Sequence, residues 1–168
     1  VKRVATLAGL ALLLAGCQGA SDANMSVAAE ADGGDAAATA RLAVTIEGSG
    51  GRHVFSVERA RTPEEQARGL MYRTDLTPNG GMLFYPYPAA GGGPQVANFW
   101  MKNTPTPLDI IFIRADGTIA RIAENTVPFS EDPVTSNEPV AAVLEIVGGR
   151  AAELGIGEGD KVSWPGRR

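Results

Sequence analysis

The sequence predicts a mainly β domain, a compact antiparallel sandwich or partly closed barrel with two short helices, over residues 41–168. Three observations predict it. Residues 41–47 alternate, with Leu42, Val44 and Ile46 on one face and Arg41, Thr45 and Glu47 on the other, as a half-buried strand does. Gly48-Ser49-Gly50-Gly51 and Asp116-Gly117 are turn signals of the kind that join antiparallel strands. Leu108–Ile113 and Val140–Val147 are almost continuously apolar, which suits core strands. A domain of this length can bury enough apolar surface to fold without disulfides.

Taken in order, the chain begins with Lys2-Arg3 and an apolar run of eleven residues, Val4 to Leu14. A bilayer-spanning helix needs about 20 residues, so residues 1–16 read as a signal peptide. Leu14-Ala15-Gly16-Cys17 resembles the bacterial lipobox, in which the cysteine is lipidated and becomes the mature N-terminus. Cys17 is the sole cysteine and His53 the sole histidine, so neither an internal disulfide nor a zinc site is expected. The lipobox resemblance implies a lipid anchor on Cys17 in the cell envelope, where several acyl chains hold stably. Gln18, in place of Asp at the next position, points by the usual sorting rule to the outer membrane, facing the periplasm. An ordinary cleaved signal with an incidental cysteine is the alternative. Residues 18–40 carry Asp22, Glu30, Asp32 and Asp35 without a base, and Gly33-Gly34 cuts any alanine helix short. They read as a tether whose coil reach is about 25 Å.

The whole chain holds 15 basic and 19 acidic residues; with Lys2 and Arg3 in the leader, 13 against 19 leaves the mature chain at −6. No basic cluster stands out, and phosphate neutralisation supplies most nucleic-acid affinity, so no nucleic-acid partner is expected.

Within the domain, Val54 to Glu58 returns as the partner of the first strand, with His53 at the turn as an exposed residue rather than a base. Thr62-Pro63-Glu64-Glu65 has the parts of a helix start: an N-cap, proline at the first position and a capping-box glutamate. Gly69 ends this helix, and Ala67, Leu70 and Met71 are expected to dock on the sheet. Arg68 has Glu64 as its local partner, four residues earlier. Thr74 to Gly81 reads as a loop and Met82 to Tyr85 as a short strand. Pro86 to Pro94 is too rich in Pro and Gly to be regular; it is either a flap with Tyr85 or Tyr87 as its aromatic face or a plain surface loop.

Asn98 to Ile113 reads as a hairpin across Thr104-Pro105-Thr106-Pro107. Direct pairing would set Lys102 opposite Asp109, with Trp100 and Lys102 on one face. Two readings stand: an amphipathic wall for a polar ligand, or a structural ion pair with Trp100 in the core. Asp116-Gly117 then joins Ile110–Ile113 to Thr118–Ile122, and residues 125–139 form a long surface connection. Glu145 interrupts the apolar run from Val140 to Val147 and needs partners, either backbone amides or Arg68 or Lys102. Arg150 to Leu154 makes the second helix, closed by Gly155, and Asp160 to Trp164 the last strand. Gly155, Gly157 and Gly159 follow a helix and precede a strand, the reverse of a phosphate-binding loop, so Asp160 reads as a turn residue.

Arg68-Gly69-Leu70-Met71-Tyr72-Arg73, the words from Asn98 to Ile113 and Leu144-Glu145 occur in an order that closely resembles the prokaryotic family called domain of unknown function 192, over roughly residues 41–164. The resemblance implies a compact β barrel or sandwich and brings no activity. It also implies an anion-contacting role for Arg68 at a cleft edge.

The functional expectation is a small tethered binding module for a polar ligand, sugar-like or anionic, with Arg68, Trp100, Lys102, Asp109 and Glu145 as candidate ligand-binding residues. No catalytic residue, cofactor or metal is assigned. Two alternatives stand beside it: an enzyme with Asp109 and Glu145 as acid and base, which requires both carboxylates in one pocket, and a protein-interaction accessory subunit marked by exposed apolar residues near Trp100 or Tyr87.

Overall fold

The computed structural model describes residues 41–167. The signal peptide of residues 1–16, the lipidation of Cys17 and the tether of residues 18–40 lie outside the described residues. Among the described residues no helix is long and apolar enough to cross a membrane.

The described residues form nine strands and two helices: β1 (Leu42–Gly48), β2 (Gly51–Ala60), α1 (Pro63–Arg68), β3 (Gly81–Phe84), β4 (Gln95–Phe99), β5 (Leu108–Ile113), β6 (Ile119–Ala123), β7 (Val134–Val140), β8 (Ala142–Val147), α2 (Arg150–Leu154) and β9 (Lys161–Ser163). Seven strands form one sheet in the order β6-β5-β8-β3-β2-β1-β9, and β4 and β7 form a separate ribbon. Within the large sheet only β2 and β3 run parallel. Its two ends approach each other: Thr118 bridges Lys161, the Ile119 amide donates to the Asp160 carbonyl at 2.9 Å, and the Val162 amide donates to the Gly117 carbonyl at 2.8 Å. The sheet is thus a nearly closed barrel, which leaves little unpaired edge.

Strand alternation sorts the apolar side chains into two cores. One is inside the barrel and draws on all seven strands, with Val44, Phe55, Leu83, Ile111, Ile119, Leu144 and Val162 among its members. The other lies on the outer face, where Met82, Phe84, Ile110, Phe112 and Val143 pack against Leu70, Ala97, Met101 and Val140. Strands β5 and β8 contribute to both, which accounts for their near-continuous apolar sequence.

Local signals decide the elements that need no distant partner. The β1–β2 hairpin, the β5–β6 hairpin, the capping box of α1 and the αL glycine closing α2 form as their residues predict. The His53 ring meets its own turn, with Nε2 3.0 Å from the Gly50 carbonyl oxygen, and Asp160 accepts from the Gly157 amide at 2.9 Å. Of the residues expected to dock α1, Leu70 is buried and Met71 half-buried, while Ala67 is exposed.

The hairpin expected over residues 98–113 does not form. Strand β4 pairs with β7, setting Asn98 against Thr135 and Phe99 against Val134, and β5 lies between β6 and β8. The link between β4 and β5 is an ordered crossing: the Met101 amide donates to the Ser130 carbonyl at 2.8 Å, and Asn103 takes a left-handed φ of 55°. The supposed surface connection over 125–139 therefore contains β7. Its prolines disguised it, and a two-stranded ribbon tolerates Pro139 because no third strand needs the missing amide.

Gly81 marks a close approach between β3 and β8. It has φ 153°, and a Cβ there would stand 2.1 Å from the Glu145 carbonyl oxygen. Gly81→Ala is expected to lower unfolding free energy by about 3 kcal/mol, because the clash is with backbone and cannot be relieved by a rotamer change; urea denaturation measures it.

Candidate functional site

A cleft of about 420 Å³ opens on the outer face of the barrel. The end of α1 and the residues after it form one wall, the Tyr87–Ala90 loop a second, and Asn98, Phe99 and Trp100 at the end of β4 a third; Phe84 and Glu145 also line it. Gln66 ties the first two walls together. Its Nε2 donates to the Pro86 carbonyl at 2.7 Å, and its Oε1 accepts from the Ala89 amide at 3.0 Å. The segment after α1 is held from behind: Arg73 donates to Glu58 at 3.1 Å, Thr106 donates its hydroxyl to the Arg73 carbonyl at 2.9 Å, and the Tyr72 amide donates to Asn103 at 2.8 Å.

The aromatic walls are one packed unit. Phe99 meets Phe84 edge-on at 5.1 Å between centroids and lies 5.7 Å from Tyr87. Burial pushes the Tyr87 phenol up, opposed by the hydrogen bond that its oxygen accepts from the Asn98 amide.

Glu145 is the chemical feature of the cleft. Its β8 position is flanked by Met82 on β3 and Ile110 on β5, so the strands on both sides present apolar neighbours. Gly69 roofs it closely enough that a Cβ there would be 3.7 Å from Oε2. The side chain is buried, and Oε2 has no hydrogen-bond partner among the described residues. Burial alone pushes the carboxyl up to about 8, so it is a neutral acid at pH 7. None of the partners expected from the sequence reaches it: no bond from a backbone amide, Arg68 or Lys102 satisfies Oε2.

Of the five candidate residues, three line this cleft: Arg68, Trp100 and Glu145. Arg68 is exposed and makes no ion pair with Glu64 or any other described residue. Trp100 is 47 % exposed, which does not fit the alternative reading that set it in an ordinary core. Lys102 is outside the cleft lining; its Nζ stands 5.0 Å from the Trp100 ring centroid and 3.4 Å from Glu131 Oε1. It does not meet Asp109, because the strand pairing that would have opposed them does not exist.

Asp109 has a structural place. It is fully buried, and its carboxylate accepts from the amides of Asn125 at 2.7 Å, Gly149 at 2.8 Å and Ala151 at 2.7 Å. The last two belong to the start of α2, which has no cap from its own N-cap residue, Gly149. On β5 Asp109 shares a face with the barrel-interior residues Ile111 and Ile113 and pairs across from Ile146, whereas Glu145 pairs across from outer-face Ile110. The two carboxylates are on opposite faces of the sheet, so acid–base chemistry shared between them is ruled out.

Sequence reasoning missed Gln66, Phe84, Asn98 and Phe99 as cleft residues and left Tyr87 as one of two readings. Their common signal was weak: aromatic and amide side chains bordering a Pro-Gly loop, whose wall exists only after β4 finds β7.

Residues 44–164 match the family DUF192, described as Uncharacterized ACR. No curated protein matches the chain. A protein of unknown function from Novosphingobium aromaticivorans is 52 % identical, with a TM-score of 0.69 over 74 % of this chain and 85 % of that one. A protein from Sinorhizobium meliloti, provisionally described as a transcription regulator, is 42 % identical, with a TM-score of 0.69 over 75 % of this chain and 95 % of that one.

Two measurements separate the carboxylates. Asp109→Asn leaves at most one strong acceptor for three amides and is expected to cost about 2–4 kcal/mol in urea denaturation. For Glu145 the folded carboxyl titrates near 8 against an ordinary 4.5, so the native state holds the extra proton between those values and stability falls as pH rises through that window. Glu145→Gln cannot ionise; relative to the parent its stability should gain roughly 3–4 kcal/mol between pH 5 and pH 8. Parallel pH curves for the two proteins would show that Glu145 is not held neutral.

Proposed function

The chain belongs to the DUF192 family, and from its cleft we propose that it is a small binding module for a sugar-like ligand, held to the cell envelope through a lipid on Cys17. The observation that carries this reading is the buried Oε2 of Glu145, without a partner among the described residues, in a cleft that also contains the half-exposed indole of Trp100. A neutral carboxylic acid both donates to and accepts from a hydroxyl, so a sugar supplies what Oε2 lacks without importing charge. The apolar C–H face of the same ring suits an aromatic wall. Arg68, which makes no ion pair among the described residues and lines the cleft, supports an anionic substituent on the ligand. The cleft volume lies within the range of about 300–1,000 Å³ usual for small-molecule sites.

The anchor and the envelope location, with the outer membrane as the expected sheet, are supported by the lipobox-like Leu14-Ala15-Gly16-Cys17 and by Gln18 after it. A regulator acting on DNA is disfavoured by a chain with 15 basic and 19 acidic residues and no basic cluster. Catalysis has less support than binding, because the described residues of the cleft include one carboxyl group and no nucleophile with a neighbouring base.

A protein-contact face is the second reading, favoured by Tyr72, Val127 and Phe129, which are 68 %, 69 % and 63 % exposed. The Tyr72 amide bonds to Asn103 and the Phe129 amide to Thr104, so the backbones of both aromatics adjoin the β4–β5 link.

Calorimetric titration of the full-length protein with neutral and acidic cell-wall sugars is expected to reveal saturable binding. Trp100→Ala and Glu145→Ala should each weaken it about tenfold or more, while Tyr72→Ser with Phe129→Ser leaves it unchanged. Absence of binding across the panel would reject the sugar reading and leave the protein-contact face.

A further inference from the structure

We propose that the site continues past Trp100 into a second subsite, so that its ligand is a glycan chain of at least two linked rings rather than a single sugar. This rests on the sugar-binding reading above. A smaller cleft of about 280 Å³ is lined by Asn98, Phe99, Trp100, Glu131 and Pro133. Its first three residues also line the Glu145 cleft, so the two share a wall. Taken alone, the smaller cleft falls below the range of about 300–1,000 Å³ for independent ligand sites. As an annex of its neighbour it extends a site that is already at the lower end of that range.

Trp100 is placed to serve both halves. The residues on either side of it are tied down, Phe99 in the aromatic cluster and Met101 in the core, yet the indole itself is 47 % exposed. Sugars stack on aromatic faces through their C–H surface, and a half-exposed indole bordering two clefts can meet consecutive rings.

The chemistry of the annex accounts for two charged residues that the main cleft does not use. Glu131 supplies a carboxylate acceptor there. Lys102 braces it, with Nζ 3.4 Å from Glu131 Oε1 and 5.0 Å from the Trp100 centroid. The Met101 amide, bonded to the Ser130 carbonyl at 2.8 Å, joins the backbones carrying Trp100 and Glu131. Hydroxyls on the second ring would meet an acceptor next to an aromatic wall, as those on the first meet Glu145.

The test is calorimetry of the full-length protein with glucose, N-acetylglucosamine and glucuronic acid, each as monomer and as its 1,4-linked dimer, trimer and tetramer. For the sugar that binds, affinity should rise at least tenfold from monomer to dimer or trimer and then level off. Glu131→Ala, an exposed substitution whose fold is checked by near-ultraviolet circular dichroism, should remove most of that gain and leave monomer affinity unchanged. Equal affinity for monomer and oligomers, with Glu131→Ala silent, overturns the second subsite and leaves the sugar reading intact. Binding by none of the twelve compounds overturns both.

Discussion

Two adjacent strands covered on both faces, β5 and β8, are the constraint on which the rest of the structure depends. Each must be filled on the barrel side and on the outer side, so each reads as an apolar run with a single carboxylate in it. Strand alternation then decides where those carboxylates go. Asp109 falls on the inner side at the start of β5, and Glu145 on the outer side within β8. The same pleat that builds the two cores thereby keeps the two acids apart.

Their surroundings give chemically similar groups opposite fates. Asp109 meets three backbone amides and acts as the remote cap of a five-residue helix that has no cap of its own. Such a helix is too short to persist without outside contacts. Glu145 meets neighbours that do not hydrogen-bond to Oε2, and desolvation pushes its carboxyl up to about 8. An unsatisfied buried polar atom costs stability, and it is this atom on which the binding proposal rests.

The ribbon of β4 and β7 walls in the cleft around that group. Without it the outer core would lose Ala97 and Val140, and the Glu145 cleft would lose the wall formed by Asn98, Phe99 and Trp100. Gln66 does the corresponding work on the other side, fastening the Pro-Gly loop to α1. The cleft is therefore assembled from three segments, residues 66–71, 87–90 and 98–100, set against the outer face of the barrel.

Local chemistry was enough for much of this molecule. The alternation of Leu42, Val44 and Ile46, the Asp116-Gly117 turn and the Thr62 capping box each depend on residues within a few positions, and each is legible in the sequence. The family could also be recognised there, since its words are contiguous. Partner choice between distant strands was not legible: residues 98–113 carry a hairpin pattern, but β4 joins β7 because the outer core needs a cover and Ser136 offers its hydroxyl to the Ala97 amide at 2.9 Å. Only the tertiary structure could therefore separate Lys102 from Asp109 and leave Oε2 of Glu145 without a partner among the described residues, because both outcomes depend on which faces are buried against residues dozens of positions away.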